Sequence, residues 1–182
     1  MKKLWLFFAT ALLSSCITVD DFGDYWQKGT IDSRLFGSWQ EEKQPQVLII
    51  SKNDSMYRID SGDAKERVRK DYAPLLARTL KVQDNTFLMI CDSIKCPGTG
   101  DLIRYKITGD MIEVYILRGE AMNALLKEKY PHAESFLVDN NEGSHITGPH
   151  ITKLNDEAFK ILSGIPNDKK YWGLGERYRR IQ

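Results

Sequence analysis

The sequence lacks an excess of charge of either sign. It has 26 Lys and Arg residues against 25 Asp and Glu residues, which gives a net charge of +1. Nucleic-acid-binding proteins neutralise phosphates with a surplus of basic residues, and that surplus is missing here. Hydrophobic residues make up 42% of the chain and charged residues 28%, proportions typical of a globular protein. We therefore expect a folded protein without a nucleic-acid partner.

The sequence also lacks the local motifs of common catalytic and cofactor sites. A serine nucleophile elbow, a Walker loop, a Rossmann glycine motif and a His-Glu-x-x-His zinc motif are all missing. The histidines His132, His145 and His150 have no Cys or Glu partner at metal-ligand spacing, so we predict solvated loop histidines. The sequence therefore predicts a non-enzymatic protein with no cofactor and no metal.

No hydrophobic run is long enough to span a bilayer. The apolar run at residues 4–13 would cover about 15 Å as a helix, which is half of a bilayer core. It follows two lysines and precedes two serines, the arrangement of a secretory signal. We therefore expect residues 1–15 to be a signal peptide that is removed.

The four residues Leu13, Ser14, Ser15 and Cys16 resemble the lipobox of bacterial lipoproteins. This resemblance implies a lipid on the sulfur of Cys16, cleavage before that residue, and an acyl chain such as palmitate on the new amine. Two or three acyl chains hold a domain on a membrane, because each buried CH₂ contributes ~0.8 kcal/mol to the free energy of membrane binding. In a Gram-negative source, Ile17 after the cysteine implies the periplasmic face of the outer membrane. The alternative is a plain signal peptide with Cys16 as a free thiol.

Residues 16–33 are expected to form the lipidated N-terminus and a tether, and residues 34–182 a single β-rich domain. The tether alternates aspartates with the aromatic residues Phe22, Tyr25 and Trp26. Tyr25 and Trp26 either close the bottom of the domain or lie at the lipid headgroups, where amphipathic rings are favoured.

Three two-residue turns predict antiparallel hairpins with one apolar face each. The turns are Asn53 with Asp54, Asp84 with Asn85, and Gly109 with Asp110. The first two turns pair Ile50 with Tyr57 and Leu80 with Met89. The third gives the clearest register, with these apolar pairs on one face: Ile103 and Ile116, Tyr105 and Val114, Ile107 and Ile112. A shift of one residue would exchange the two faces, so turn and alternation support each other.

The hairpins belong to a longer series of strands. With a first strand at residues 39–43 and another near 66–70, the count reaches about eight sequential antiparallel strands. Such a series predicts a mainly β fold, a meander that closes into a barrel or folds into a sandwich. Two short helices are predicted after the main strands, at residues 120–130 and 155–163, the second capped by Asn155.

Gly37, Ser38 and Trp39, at the start of the first strand, resemble the Gly-x-Trp signature of lipocalin-like barrels. The resemblance implies a barrel floor closed by Trp39 and by a late arginine that packs on its ring, for which Arg118 is the candidate. The Thr-Asp-Tyr turn motif of the same family is not found. The resemblance concerns architecture and does not by itself establish ligand binding.

Cys91 and Cys96 are the two cysteines besides Cys16. In an exported chain they are expected to form a disulfide that fixes a strand connection and stabilises the fold by roughly 2 to 3 kcal/mol. A redox function is the alternative, although four intervening residues differ from the two of oxidoreductase motifs.

Four residues are candidates for the lining of a cavity inside the barrel: Arg78, Tyr105, Val114 and Ile116. Arg78 falls on the same face as Leu80 and Val82, so an inward charge there would line a cavity mouth. Alternatively, Arg78 is solvated or pairs with an acid such as Asp92. Bulky inward residues on every strand can also fill a small barrel completely.

Together these features predict a membrane-anchored envelope lipoprotein that binds an apolar small molecule or another envelope protein. One alternative is a structural or inhibitory module with a filled core. Another is an envelope hydrolase, in which acids such as Asp101 and Glu113 would converge in space.

Overall fold

The computed structural model of the chain describes residues 17–63, 74–92, 96–138 and 149–181. Four features predicted from the sequence lie outside the described residues: the signal segment 1–15, the lipidation site Cys16, the strand near residues 66–70, and His145.

The described residues form eleven strands, three short helices and one 3-10 turn. The strands are β1 (Ile17–Val19), β2 (Gly37–Glu41), β3 (Gln46–Asn53), β4 (Met56–Asp63), β5 (Leu75–Val82), β6 (Asn85–Asp92), β7 (Gly100–Thr108), β8 (Met111–Leu117), β9 (Phe136–Val138), β10 (Pro149–Ile151) and β11 (Trp172–Ile181). The helices are α1 (Tyr25–Lys28), α2 (Gly119–Lys129) and α3 (Asp156–Gly164), and the 3-10 turn is Ser33–Leu35.

Eight of these strands close into an antiparallel barrel. Strands β2 to β8 pair in sequence order, and β11 pairs with both β8 and β2, which completes the ring. The predicted mainly β, lipocalin-like architecture is confirmed, and the barrel is formed rather than the sandwich. The eighth strand comes from the C-terminus of the chain, after the helices.

The third predicted hairpin has the predicted register. Ile107 pairs with Ile112 and Tyr105 with Val114 across the turn at Gly109 and Asp110. Gly109 has a φ of 58°, a conformation that glycine adopts without steric cost.

The other two hairpins turn one residue away from the predicted positions. Asn53 pairs with Met56 and Val82 pairs with Asn85, so the turns are Asp54 with Ser55 and Gln83 with Asp84. Ile50 therefore pairs with Ile59 instead of Tyr57, and Leu80 with Phe87 instead of Met89. Asp54 and Gln83 are the first residues of these two turns, and each has a φ of 52°. Each partner moves by two positions, so the faces stay as predicted.

Two buried clusters lie on opposite sides of the barrel wall. The interior cluster has members on all eight barrel strands: Trp39, Ile50, Tyr57, Ile59, Ala77, Leu88, Ile90, Tyr105, Ile112 and Tyr178, joined by Leu35 of the 3-10 turn. The exterior cluster packs the outer face of β5 and β6 against the helices, and includes Leu80, Val82, Phe87, Met89, Trp26, Met122, Leu125, Ile161 and Trp172. The helices therefore cover one side of the barrel and do not plug it.

The segment predicted as a tether is folded onto the barrel. β1 pairs with β7 beyond the end of β8, and β10 and β9 extend the sheet from β1. Ile17 and Val19 are buried at 2% and 0% exposure, and Tyr25 and Trp26 are also buried. Residues 17–33 therefore belong to the folded domain instead of forming a separate tether, because their apolar residues pack in the exterior cluster.

The two predicted helices are present within one residue of their expected ends. Asn155 precedes α3, and its side-chain Oδ1 accepts a hydrogen bond from the Ala158 amide at 2.9 Å. Cys91 at the end of β6 forms the predicted disulfide with Cys96, with the two Cα atoms 5.4 Å apart.

Candidate functional site

One end of the barrel, here called the closed end, is sealed by an indole and a guanidinium. Trp39 is fully buried and its Nε1 donates to the Leu35 carbonyl at 2.8 Å. The Arg180 guanidinium lies 4.2 Å from the centre of the Trp39 ring and donates to the Phe36 and Arg34 carbonyls at 2.6 and 2.7 Å. These contacts tie the first and last barrel strands to the 3-10 turn.

The late arginine on Trp39 is therefore Arg180, and the assignment of Arg118 to that role is wrong. Arg180 is paired directly with Trp39 in the β11–β2 register. Arg118 is exposed, precedes α2 and follows β8 at the other end of the barrel. The prediction failed because β11 lies beyond two helices, where the strand alternation of the hairpins no longer indicates a partner.

Hydrogen-bonded hydroxyl groups fill the interior next to this floor. Thr79 Oγ1 lies 2.9 Å from the Tyr57 hydroxyl and 3.0 Å from the Tyr105 hydroxyl. Burial raises the pKa of both tyrosines above the usual value, so both phenols are neutral at physiological pH. Tyr105 is 5% exposed and packs in this half of the barrel, and it is also one of the residues that line the cleft near the closed end described below.

At the opposite end, the open end, water reaches the inward-facing side chains. By strand register the following residues face the interior, yet they are only partly buried or are exposed: Leu48, Ser61, Leu75, Ile103, Val114 and Ile116. Leu75 has 40% of its surface exposed. These side chains lie on the part of the barrel away from Trp39, so we infer that solvent reaches them through the open end. Two of the predicted lining residues, Val114 and Ile116, face this space, which we call the cup.

Carboxyl groups border the cup. Glu41, Asp92 and Asp101 face inward near the open end by strand register, and the Glu176 carboxyl is hydrogen-bonded to the inward-facing Tyr178. No inward-facing Lys or Arg accompanies them among the described strand residues of this half. Lys43 and Arg118 are exposed cations at the same end.

The environments of these acids differ. Burial and the neighbouring Glu176 carboxylate raise the pKa of Glu41, which is 5% exposed, while the Lys43 ammonium and a hydrogen bond with Gln44 partly oppose this rise. Burial alone raises the pKa of Asp101 to about 6. The Tyr178 hydroxyl donates to Glu176 Oε2 at 2.5 Å. The open end is thus an apolar cup with a partly desolvated acidic rim, and sequence reasoning did not identify Glu41 or Glu176.

Arg78, the fourth predicted lining residue, lies outside the barrel. It shares a face with Leu80 and Val82 as predicted, but that face is the exterior one. Arg78 is 7% exposed, and its guanidinium donates to the Trp26 and Gln27 carbonyls at 2.8 and 3.2 Å. A third bond reaches Ser55 Oγ at 2.5 Å. Arg78 therefore holds the end of α1 and lines no interior cavity.

A separate cleft of about 260 Å³ opens between β6 and β7 near the closed end. The pairing of these strands stops at Phe87 and Arg104, although both strands continue. Arg104 lies between the rings of Tyr115 and Trp172, at 4.7 and 4.5 Å, and donates to Asn167. The existing contacts therefore already hold the Arg104 guanidinium in place.

The remaining candidates do not assemble a reactive centre. Asp101 faces inward, whereas Glu113 faces outward and pairs with Arg177 at 3.1 Å, so the two acids do not converge. His132 is exposed, but His150 is not a loop residue: it lies in β10, 2.9 Å from an Asp20 carboxyl oxygen. Among the described residues, no three Cys, His, Asp or Glu side chains are grouped so as to hold a metal ion.

No protein-family model matches the chain, and comparison with curated proteins and with solved structures finds no match. In the part of the chain that the structure describes, no helix is both long and apolar enough to cross a membrane. Any assignment of function therefore depends on the geometry of the barrel and on the sequence.

Proposed function

We propose that this chain is a lipid-anchored protein of the bacterial cell envelope whose barrel binds a small molecule with an apolar part, without chemical turnover. The observation that carries the proposal is the cup: inward-facing aliphatic side chains, among them Val114 and Ile116, are accessible to water. Apolar surface inside a concave site is favourable to cover, at roughly 25 cal/mol per Å² removed from water.

The shape of the interior favours a small molecule over a protein partner in this site. The closed end is filled by Trp39, Tyr57 and Tyr178. A ligand inside the barrel would therefore occupy only the half at the open end. An eight-stranded barrel has an interior wide enough for side chains or one small ligand. The filled-core module remains the second candidate, and the packed closed end is the observation that favours it.

The anchor is supported by the lipobox and by the position of β1. β1 begins at Ile17, the residue after Cys16, so a lipid on Cys16 would join the bilayer to the sheet without a spacer. In a Gram-negative source this arrangement would hold the barrel at the periplasmic face of the outer membrane. Metabolic labelling with a radioactive fatty acid tests it: the label should be absent from a Cys16→Ala variant, and label on that variant would contradict the proposal.

Ligand binding is tested with the mature chain carrying Cys16→Ser and exported with a cleavable signal peptide, which avoids both lipid and detergent. Decanol, titrated below its solubility limit, should bind to this protein. Val114→Phe places a ring in the cup and should weaken binding at least about tenfold while leaving the melting temperature nearly unchanged. The matched control, Leu174→Phe, enlarges an exposed residue that faces outward opposite Tyr115 and should bind normally.

The same pair of variants separates the two candidates. If the core is filled, decanol should not bind and Val114→Phe should destabilise the protein by typically 1 to 3 kcal/mol from overpacking. That result would replace the binding proposal with the structural module.

A further inference from the structure

Two buried hydrogen-bond acceptors beside the cup have no partner. Oε2 of Glu41 and Oε1 of Gln44 are both inaccessible to water and accept no hydrogen bond. The Glu41 side chain nevertheless makes a hydrogen bond with Gln44. Since the Gln44 amide must act as the donor in that bond, its oxygen and the second Glu41 oxygen form adjacent acceptors that still require donors.

Glu41 is directed into the barrel. It lies two positions after Trp39 on β2, on the same inward face, and it pairs with the inward-facing Tyr178 of β11. Tyr178 in turn donates to Glu176, so that two carboxyl groups occupy neighbouring strands at one side of the cup. The next strand along the wall is β8, which contributes Val114 and Ile116.

This arrangement is unfavourable without a donor. A buried acceptor that lacks a hydrogen bond loses its hydration without compensation, and two nearby carboxylates repel one another. The aliphatic wall cannot relieve either cost. The exposed Lys43 partly offsets the charge repulsion at Glu41, but Glu41 Oε2 and Gln44 Oε1 still accept no hydrogen bond. A group with positive charge and several N–H donors would relieve both, because it would pair with the carboxylates and also donate to the Gln44 oxygen.

A metal ion fits this place poorly. Within the described ranges, the acids of the open end do not form a group of three that could coordinate one. Gln44 and Glu41 supply acceptors on one side only, and the adjoining surface is apolar. An organic ammonium group attached to a hydrocarbon part matches both features, with its N–H groups toward the acceptors and its chain against Val114 and Ile116.

We infer that the ligand of the cup is an amphipathic amine, whose ammonium group is bound by Glu41, Glu176 and Gln44 while its hydrocarbon part covers the aliphatic wall. The inference rests on the proposed function, since it assigns a ligand class to the same cup. Glu41 and Gln44 act here as binding residues.

Three probes with the same ten-carbon chain and different head groups test the inference. Decylammonium, decanol and decanoate are titrated into the mature chain carrying Cys16→Ser, below their micellar concentrations, with isothermal calorimetry as the readout. Decylammonium should bind about tenfold or more tightly than decanol, as expected for a charge-assisted hydrogen bond in a desolvated site, and decanoate should bind most weakly.

Glu41→Gln keeps the shape of the side chain and removes its charge. It should abolish the preference for decylammonium while leaving the affinity for decanol within about twofold. The matched control is Glu42→Gln, which removes the same charge from the adjacent exposed residue that pairs with Arg179 on the outside, and it should keep the preference. If Glu41→Gln does not fold, Glu176→Gln serves instead and should reduce the preference in part.

The outcomes are distinguishable. Equal affinities of decylammonium and decanol for the unchanged protein, or a preference that survives both Glu41→Gln and Glu176→Gln, would overturn the amine assignment while the cup remains a binding site. If none of the three probes binds, the proposed function itself fails.

Discussion

The two ends of the barrel differ in what fills them. At the closed end Trp39 and Tyr57 have no exposed surface, and Arg180 covers the indole. At the open end Leu75 is 40% exposed although it faces the same interior. Large aromatic residues close the first end, whereas aliphatic and acidic residues border the second. The difference teaches that one barrel can divide its interior between a half that is packed with aromatic side chains and a half whose inward-facing side chains are accessible to water.

The largest effect is expected from the closed end. Trp39→Ala removes a fully buried indole and the hydrogen bond to the Leu35 carbonyl, so the free energy of unfolding should fall by about 3 to 5 kcal/mol. Chemical denaturation monitored by circular dichroism measures the change. A loss below about 1 kcal/mol would show that the closed end does not hold the barrel together.

The disulfide is expected to support the open end, where side-chain packing is incomplete. It joins the end of strand β6 to the connection that leads to β7. Replacing both Cys91 and Cys96 by Ser should lower the free energy of unfolding by about 2 to 3 kcal/mol. Chemical denaturation of the double variant and of the oxidised parent protein measures the difference. Unchanged stability would show that the disulfide does not stabilise the open end.

Asp101 should make the stability of the open end depend on pH. Its folded pKa of about 6 lies above the usual 3.8, so its protonated form favours folding, and this contribution is lost as the pH rises through about 6. Asp101→Asn should therefore be more stable than the parent at pH 8, by at most about 3 kcal/mol and by less where water reaches the half-buried carboxyl. Below about pH 4 the two proteins should not differ. A gain that is the same at pH 8 and pH 4 would contradict this account.

The smallest effect on stability is expected from the wall of the cup. Ile116→Ala shortens a partly exposed side chain, so it should cost about 1 kcal/mol or less, far less than Trp39→Ala. Binding of decanol should nevertheless weaken severalfold because the contact surface shrinks. Thermal unfolding and calorimetry on the same sample compare the two effects. A large loss of stability with unchanged binding would mean that Ile116 is part of a packed core.

Local patterns predicted much of the barrel, because strand alternation and tight turns act over a few residues. The hairpin at Gly109 and Asp110 was predicted with its register, since glycine accepts the positive φ of the turn. The turns at Asp54 and Gln83 were each misplaced by one residue, because no glycine marks them and either neighbouring dipeptide keeps the same faces.

The parts that sequence did not predict depend on contacts between distant segments. β5 and β6 are apolar on both faces, so alternation indicated which residues share a face but not which face is interior, and Arg78 was directed to the wrong side. Arg180 meets Trp39 only after β11 closes the ring. In the sequence, Glu41 does not differ from a glutamate on the exposed face of a strand. Its burial arises from packing at the open end.

The most direct test of the cup is a crystal structure of the mature chain carrying Cys16→Ser with 10-bromodecanol bound. The bromine gives an anomalous signal that locates the hydrocarbon part without ambiguity. The account predicts a peak inside the barrel, above Trp39 and beside Val114 and Ile116. Two results would contradict this account. One is an open end that is filled by the protein's own side chains, and the other is a bromine peak only in the cleft next to Arg104.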